Sequence, residues 1–135
     1  MTLERTLSII KPDAVKAGYS DSINLMIENC GLKILEQKTL TLSKEQARQF
    51  YLVHLGKPFY NELCEFMTSG PIIIQMLEGD NAIEIYRKVM GSTDPKNADD
   101  GTIRKKFAKS IQENAVHGSD SKDNAEKELF FFFRS

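Results

Sequence analysis

The alternation of short β-branched runs with helical patterns is the feature that most restricts how this chain of 135 residues can fold. Strands are predicted at 6–10, 32–42, 71–77 and 115–116, because these runs are aliphatic or β-branched and are bounded by turn or cap residues. The first run stops at Lys11-Pro12-Asp13, and we therefore expect a loop there.

Helical patterns occupy most of the intervals between these strands. Apolar residues recur at helical spacing after Ser20 or Asp21 and stop at Gly31, a residue type that often ends helices. Ser43 and Gln46 have the spacing of a capping box, which predicts the start of another helix. Further helices are predicted at 44–53, between the turn at 56–60 and residues 69–70, at 81–90 and at 103–111.

The resulting order, β-α-β-αα-β-α-β, predicts a fold class. It is an α/β (α+β) sandwich of the ferredoxin-like βαββαβ type, with a four-stranded antiparallel sheet and an inserted helical hairpin. The length is that of a single domain, residues 1–135, with a core of its own. The polar, non-periodic segment 91–101 is the longest predicted loop, and loops of this kind often bind ligands.

Composition narrows the classes of function. Hydrophobic residues make up 41% and charged residues 27% of the chain, which is typical of globular proteins and argues against a disordered or membrane protein. A formal net charge of −1 gives no global field that would hold the chain on nucleic acid or on an anionic membrane. A site for an anion must therefore be built locally.

The cysteines and the N-terminal residues indicate the compartment. Cys30 and Cys64 lack CxxC spacing and are too few for a disulfide framework, so we expect two buried thiols. The first apolar run carries Glu4 and Arg5 and is followed by Lys11 rather than by a signal-peptide cleavage site. These features favour a cytoplasmic location.

The residues most suggestive of chemistry lie at 114–121, where His117 closes a short apolar strand and Gly118 allows a sharp turn. A neutral imidazole is a competent nucleophile, and a neighbouring carboxylate or hydroxyl that fixes its tautomer would assist it. Ser119, Asp120 and Glu128 are candidates for that role. An isolated histidine is more commonly a packed or surface residue, so further residues must support the catalytic interpretation.

Three cations could bind a polyphosphate, namely Lys11 after the first strand, Arg87 on a helix and Arg104 in the segment GTIR. Phosphoryl transfer requires mainly placement and charge neutralisation, which Lys and Arg supply, although most surface cations are merely solvated. The chain contains neither GxxxxGK[ST] nor GxGxxG. A P-loop and a dinucleotide-binding loop are therefore excluded, and the phosphate site would consist of side chains.

The remaining candidates are ambiguous from sequence alone. Phe59 and Tyr51 could contact a nucleotide, but aromatic residues in apolar segments are more often part of the core. His54 has no Cys or carboxylate pattern around it, so we expect no metal site built from protein side chains, and Mg²⁺ would arrive on nucleotide phosphates. The run 130–133 is four phenylalanines, for which a buried strand or a subunit contact is the better explanation.

Several motifs, in this order, resemble those of a known family. They are TLSIIKPDAV (6–15), SGP (69–71), GTIR (101–104), NAVHGSDS (114–121) and AEKE (125–128). On these motifs the chain resembles the nucleoside diphosphate kinases from Thr6 to about Phe133, and the segment around His117 is similar to the active-site motif of that family.

The resemblance implies a ping-pong reaction that maintains nucleotide pools. His117 would take the γ-phosphoryl of a nucleoside triphosphate and pass it to a nucleoside diphosphate, ribo or deoxyribo, with Ser119 and Glu128 as its orienting partners. Phe59 would stack on the base. The residues that would hold phosphates and sugar or line the site are Lys11, Tyr51, Arg87, Thr93, Arg104 and Asn114. Mg²⁺ is implied as the cofactor, and no stable contact with nucleic acid or membrane is expected.

Four positions depart from the family pattern. Lys57 stands where arginine is usual, Tyr60 replaces an aromatic of another type, and Asp21 replaces a glycine. Asp100 stands in a loop that commonly carries proline and often supports subunit contacts. The resemblance implies a homo-oligomer, a tetramer or a hexamer, and the few residues that follow the phenylalanine run favour the tetramer.

Two other functions remain open at this point. A nucleotide-binding or regulatory module could keep the pocket without turnover, although the retention of His117 and the cations argues against it. An RNA-binding domain of the ferredoxin-like type is the second alternative. The chain lacks the RNP1 pattern and is not basic, and both facts argue against RNA binding.

Overall fold

The computed structural model describes residues 3–133. It contains four strands and seven α-helices within that range. The strands are β1 (Leu3–Ile10), β2 (Lys33–Leu40), β3 (Ile72–Asp80) and β4 (Val116–Gly118). The helices are α1 (Pro12–Ala17), α2 (Ser20–Asn29), α3 (Lys44–Phe50), α4 (Tyr60–Met67), α5 (Ala82–Met90), α6 (Ile103–Phe107) and α7 (Lys122–Phe133). Short 3-10 helices lie at Leu52–His54 and Pro95–Asn97.

The four strands form one antiparallel sheet in the order β2-β3-β1-β4. Strand β1 is central and pairs along its whole length with β3, from Leu3 opposite Asp80 to Ile10 opposite Ile73. On its other side β1 pairs with β4, where Ile9 lies opposite His117. The predicted ferredoxin-like α/β architecture with an inserted hairpin, α3 and α4, is confirmed.

The sheet separates two hydrophobic clusters, because successive side chains of a strand point to opposite faces. Leu7 and Ile9 of β1 pack with α3, α4 and α7, whereas Ile10 packs with α1, α2, α5 and α6. Cross-strand partners share a face, so His117 lies on the α3–α4–α7 side, with Ile9. Its neighbour Gly118 faces Tyr86 and Met90 of α5.

Two predictions about the N-terminal half need correction. A loop is predicted after β1, but helix α1 begins there, with Pro12 in its first turn and Gly18 ending it in the left-handed conformation at φ 81°. Six residues are too few for a visible helical period, which is why α1 escapes sequence analysis. Cys64 is buried as expected, whereas Cys30 is only half-buried.

Three predictions about the C-terminal half are also wrong in part. Helix α6 ends at Phe107 rather than at residue 111. Strand β4 begins at Val116 because Ala115 has a φ of 74°, which no strand residue adopts. The phenylalanines at 130–133 end helix α7 and do not form a strand, and Phe132 packs in the cluster with α3 and α4.

Among the residues described, no helix has the length and apolar character needed to cross a bilayer.

Candidate active site

A cavity of about 530 Å³ opens at the β4 edge of the sheet. It is walled by β4, the end of α3 with the following 3-10 helix, α5, α6, α7 and the segment before β4. Ten of the residues predicted from sequence line it, namely Lys11, Tyr51, Phe59, Arg87, Thr93, Arg104, Asn114, His117, Asp120 and Glu128. The structure therefore brings together residues that are up to 117 positions apart in number.

His117 is hydrogen-bonded to the carboxylate of Glu128, and Ser119 holds that carboxylate in place. Its Nε2 lies 2.9 Å from Oε1 of Glu128, and the Ser119 hydroxyl donates to the same oxygen at 2.8 Å. The Ser119 oxygen also accepts from the backbone N–H of Leu7, at 3.4 Å, which ties the group to the central strand. With Nε2 carrying the proton toward Glu128, the lone pair of the neutral ring resides on Nδ1.

The imidazole of His117 is partly exposed, and neighbouring aromatic rings restrict its rotation. Its side chain is 22% exposed and lines the cavity. The ring of Phe50 packs against it edge-on, with centroids 5.5 Å apart, and Tyr51 does so at 6.5 Å. Phe50 in turn contacts Phe131 and Phe132, so the phenylalanine run supports the wall behind the histidine.

Lys11 lies at the end of β1 and is almost fully buried. Its ammonium donates to Oδ1 of Asn114 at 2.8 Å, and the Asn114 amide donates to the carbonyl of Thr93 at 3.2 Å. Burial lowers the pKa of Lys11 to about 8, and the positive charge of Arg104 adds to the lowering. The ammonium therefore remains mostly protonated at pH 7 and loses its charge in mildly alkaline solution.

Arg104 donates hydrogen bonds to three backbone carbonyls. Its guanidinium donates to the carbonyls of Asn114 at 3.3 Å, Gly91 at 3.0 Å and Val116 at 2.8 Å. Burial lowers the pKa of this guanidinium, although an arginine remains charged throughout the physiological range. Arg104 thus supplies charge to the cavity and also fixes the segment that leads to His117.

Arg87 and Asp120 lie at the exposed rim of the cavity. Asp120 accepts a hydrogen bond from the Asn124 amide rather than contacting His117, so it is not the orienting group that the sequence allows. That hydrogen bond lowers the pKa of Asp120, and the charge of Arg87 contributes to the lowering.

Phe59 and Tyr51, which are ambiguous from sequence, differ in exposure. Phe59 is 43% exposed at the cavity mouth, beside the ring of His54 at 5.2 Å and below the ammonium of Lys57 at 5.9 Å. Tyr51 is buried, and its hydroxyl has no hydrogen-bond partner among residues 3–133. Burial, with the charge of Glu128, raises the pKa of Tyr51, so the phenol stays protonated.

Several residues of the cavity wall were not predicted from the sequence. His54, Ile111 and Gln112 all line it, and Ile111 is 60% exposed. From sequence, Ile111 was placed at the end of the predicted helix 103–111, whereas it lies beyond α6, which ends at Phe107. Asp13 was also missed, although its carboxylate accepts from the backbone N–H of Ala115 at 3.1 Å, two residues before His117.

Within residues 3–133 no three His, Cys, Asp or Glu side chains lie close enough together to bind a metal ion. The carboxylates on the cavity wall are Glu128, which is bonded to His117, and Asp120 at the rim.

Comparisons with known proteins agree with one another. The family model described as "Nucleoside diphosphate kinase" matches residues 4–135. Proteins named nucleoside diphosphate kinase from Wolbachia pipientis subsp. Culex pipiens (strain wPip) and Rhodospirillum centenum (strain ATCC 51521 / SW) are 58% and 54% identical over 133 residues. Each alignment covers 98% of this chain, with 96% and 95% of the relative.

Solved structures extend the similarity to three dimensions. The nucleoside diphosphate kinase of Aquifex aeolicus superimposes with a TM-score of 0.93 at 39% identity, covering 98% of this chain and 96% of that one. The Halobacterium salinarum enzyme, solved in complex with CDP, has a TM-score of 0.95 at 37% identity, covering 99% and 90%. The chain therefore belongs to the nucleoside diphosphate kinase family, and it is a phosphotransferase that acts on nucleotides.

Proposed function

We propose that His117 is the phosphoryl carrier of this nucleoside diphosphate kinase. The observation that supports this role is the bond between Nε2 and Glu128, because it leaves Nδ1 as the nucleophilic nitrogen of a ring that lines an open cavity. Nδ1 attacks the γ-phosphorus of a nucleoside triphosphate, a new N–P bond forms, and the bond from phosphorus to the β-phosphate bridging oxygen breaks. The nucleoside diphosphate leaves, and a second one reverses these steps.

Glu128 and Ser119 control the charge of the ring during both half-reactions. The ring gains positive character as the N–P bond forms, and a carboxylate 2.9 Å from Nε2 stabilises that change. The Ser119 hydroxyl, 2.8 Å from the same carboxylate oxygen, keeps the carboxylate in place. No proton has to leave the site, which suits a transfer that runs in either direction.

The phosphates of the nucleotide require positive charge and hydrogen-bond donors, and these line the cavity on the side of α5 and α6. Lys11, Arg87 and Arg104 supply the charge, whereas Thr93 and Asn114 supply polar groups. Burial of two of the three cations strengthens their interaction with an anion, since water screens them less. The Tyr51 hydroxyl has no hydrogen-bond partner among residues 3–133, and a sugar or phosphate oxygen of the nucleotide would accept a hydrogen bond from it.

The base is expected at the cavity mouth. Phe59 offers an exposed ring for stacking, and the exposed Ile111 lines the same cavity. Stacking on a ring does not distinguish one base from another, so many ribo- and deoxyribonucleotides would be accepted.

Mg²⁺ fits this site as an ion carried by the nucleotide. The cavity wall offers cations and a single carboxylate not engaged with His117, Asp120, and this donor set cannot replace an octahedral shell of oxygen ligands. Phosphate oxygens and water would complete the coordination, with Asp120 able to accept from a bound water. The ion would neutralise charge on the phosphates and orient them.

The remaining expectations concern the setting of the protein. One domain spanning residues 1–135, a cytoplasmic location and a homo-oligomer of four or six chains are consistent with the family. Stable binding to nucleic acid or to a membrane is not expected at a net charge of −1.

The His117 proposal is tested by incubation with γ-labelled ATP. The unaltered chain should give an acid-labile, alkali-stable phosphoenzyme, and His117→Ala should give none while still binding nucleotide, because the histidine is the covalent carrier and not the main source of affinity. His54→Ala removes the other histidine and should still take up label. Exchange activity in His117→Ala, or no label in the folded unaltered chain, would refute the proposal, and the second outcome would favour a binding module.

A further inference from the structure

The backbone two residues before His117 adopts a rare conformation. The N–H of Val116 donates to the carbonyl of Asn114 at 2.9 Å, which closes a three-residue γ-turn around Ala115. Ala115 has a φ of 74° and is fully buried. A γ-turn with positive φ is strained for any residue that has a Cβ, and such strain persists only where the surroundings impose it.

The groups that impose this conformation come from the opposite end of the chain. The backbone N–H of Lys11 donates to the carbonyl of Ala115 at 2.8 Å. The carboxylate of Asp13 accepts from the N–H of Ala115 through Oδ2 at 3.1 Å. Both polar groups of the strained residue are therefore satisfied by the three-residue segment that begins α1.

The turn determines where two cavity residues point. Asn114, on one side of Ala115, holds the ammonium of Lys11 and the carbonyl of Thr93. His117, on the other side, must meet Glu128. Arg104 bonds the carbonyls of Asn114 and Val116 and so fixes the two flanks, but among residues 3–133 the side chain bonded to Ala115 itself is Asp13.

We propose that Asp13 is a positioning residue for phosphoryl transfer, because its carboxylate holds the γ-turn at Ala115 and thereby aligns Asn114 and His117. Asp13 does not line the cavity, so it acts through the backbone and not on the nucleotide. The inference rests on the proposed role of His117.

A different role for Asp13 must be distinguished by experiment. An acidic residue in the first turn of a helix interacts favourably with the helix dipole, and the charge of Asp13 also faces Lys11. Either effect depends on charge, whereas the proposed role depends on an acceptor oxygen at the right reach. Asp13→Asn keeps the acceptor and removes the charge; Asp13→Glu keeps the charge and moves the carboxylate by one methylene.

The measurement is rapid-quench formation of the phosphoenzyme from γ-labelled ATP, as a function of ATP concentration. We expect Asp13→Ala and Asp13→Glu to lower the saturating rate by about 10- to 100-fold, since a displacement near 1 Å can cost that much. The half-saturating concentration should change less than the saturating rate, and Asp13→Asn should stay within about threefold of the unaltered rate, because the amide oxygen still accepts from the N–H of Ala115. The opposite ranking, with Glu active and Asn impaired, would overturn the proposal.

A second background tests the link to the turn. Glycine adopts positive φ without strain, so in Ala115→Gly the turn should depend less on its hydrogen bond to Asp13. Asp13→Ala should then slow transfer less in the Ala115→Gly chain than in the unaltered chain. An equal loss in both backgrounds would separate Asp13 from the turn and refute the inference. If Asp13→Ala does not fold, the comparison of Asp13→Glu with Asp13→Asn gives the same decision.

The two proposals fail in different ways. Absence of phosphoenzyme in the unaltered chain would refute the role of His117. Normal labelling in the unaltered chain together with an unchanged rate in Asp13→Ala would refute the positioning role alone.

Discussion

The two edges of the sheet are built on different principles. The β2 edge is a strand of eight residues, mostly exposed, whose position is set by regular ladder pairing with β3 and interrupted by one irregularity between Ile34 and Glu36. The β4 edge has three residues and is positioned by side chains that bond to backbone, from Arg104, Asp13 and Ser119. The β4 edge therefore has only three ladder pairs and is held in addition by a few side-chain bonds, whereas the β2 edge distributes its stabilisation over seven ladder pairs.

The largest difference between the edges should appear on removal of Arg104. Arg104→Ala breaks three bonds to backbone carbonyls and removes a buried charge from the cavity. We expect phosphoryl transfer to slow by about 10²- to 10³-fold, in line with the loss of one preorganised charge partner. Steady-state kcat/KM with ATP and a nucleoside diphosphate measures this effect, and a value near that of the unaltered chain would contradict the role of Arg104.

Two crowded glycines offer a matched test. A Cβ at Gly118 would lie 2.8 Å from the Tyr86 ring and 2.9 Å from Met90, and a Cβ at Gly79 would lie 2.8 Å from Leu32. Both alanine variants should lower the free energy of unfolding by about 1–3 kcal/mol, as overpacking does. Only Gly118→Ala should also reduce kcat, about tenfold or more if His117 is displaced by a fraction of an ångström.

The outcome for the glycine pair is read from urea unfolding and from exchange rates measured on the same preparations. Equal catalytic losses in Gly118→Ala and Gly79→Ala would show that the β4 edge is no more sensitive to displacement than the end of β3, where Gly79 meets Leu32.

A smaller effect should appear in the pH dependence of the free enzyme. Lys11 has a pKa lowered to about 8, so the ammonium, and with it positive charge in the cavity, is present below that pH and is lost as the pH rises through it. We therefore expect kcat/KM to fall above about pH 8, and kcat to fall only at higher pH because bound phosphates favour the charged form. Lys11→Arg should abolish the alkaline fall in kcat/KM, and persistence of that fall would assign it to another group.

The smallest effect is expected at the exposed ion pair of Arg5 and Glu78, which joins the two inner strands β1 and β3 away from the cavity. Their atoms are 3.0 Å apart, but the arginine side chain is 57% exposed and water screens the interaction. Arg5→Ala should change the free energy of unfolding by at most about 1 kcal/mol and leave kcat/KM unaltered. A loss of activity in this variant would show that the cavity is sensitive to changes at the far end of β1.

What the sequence could predict depends on how local the determinants are. Proximity in sequence made Ser119, Asp120 and Glu128 candidate partners of His117, and the family resemblance pointed to Ser119 and Glu128. The structure joins these two to the histidine, whereas Asp120 bonds to Asn124. Arg104 was predicted as a phosphate ligand. Its second role, in fixing the segment before His117, depends on bonds to backbone carbonyls, and because every residue has a carbonyl the sequence does not indicate which ones are bonded.

Other features have no signature in a single sequence. An alanine gives no sign of a positive φ, so neither the turn at Ala115 nor its bond to Asp13 could be inferred. Four successive phenylalanines carry no period, so the helical run at 130–133 could not be distinguished from a strand. Phe59 required coordinates for another reason, because exposure alone separates a stacking ring from a core ring.

The bond between Leu7 and Ser119 joins positions 112 apart in number. During translation, the central strand and all three cations of the cavity leave the ribosome before the histidine that they serve. The cavity is therefore incomplete until the strand that carries the imidazole has been synthesised and pairs with the open side of β1.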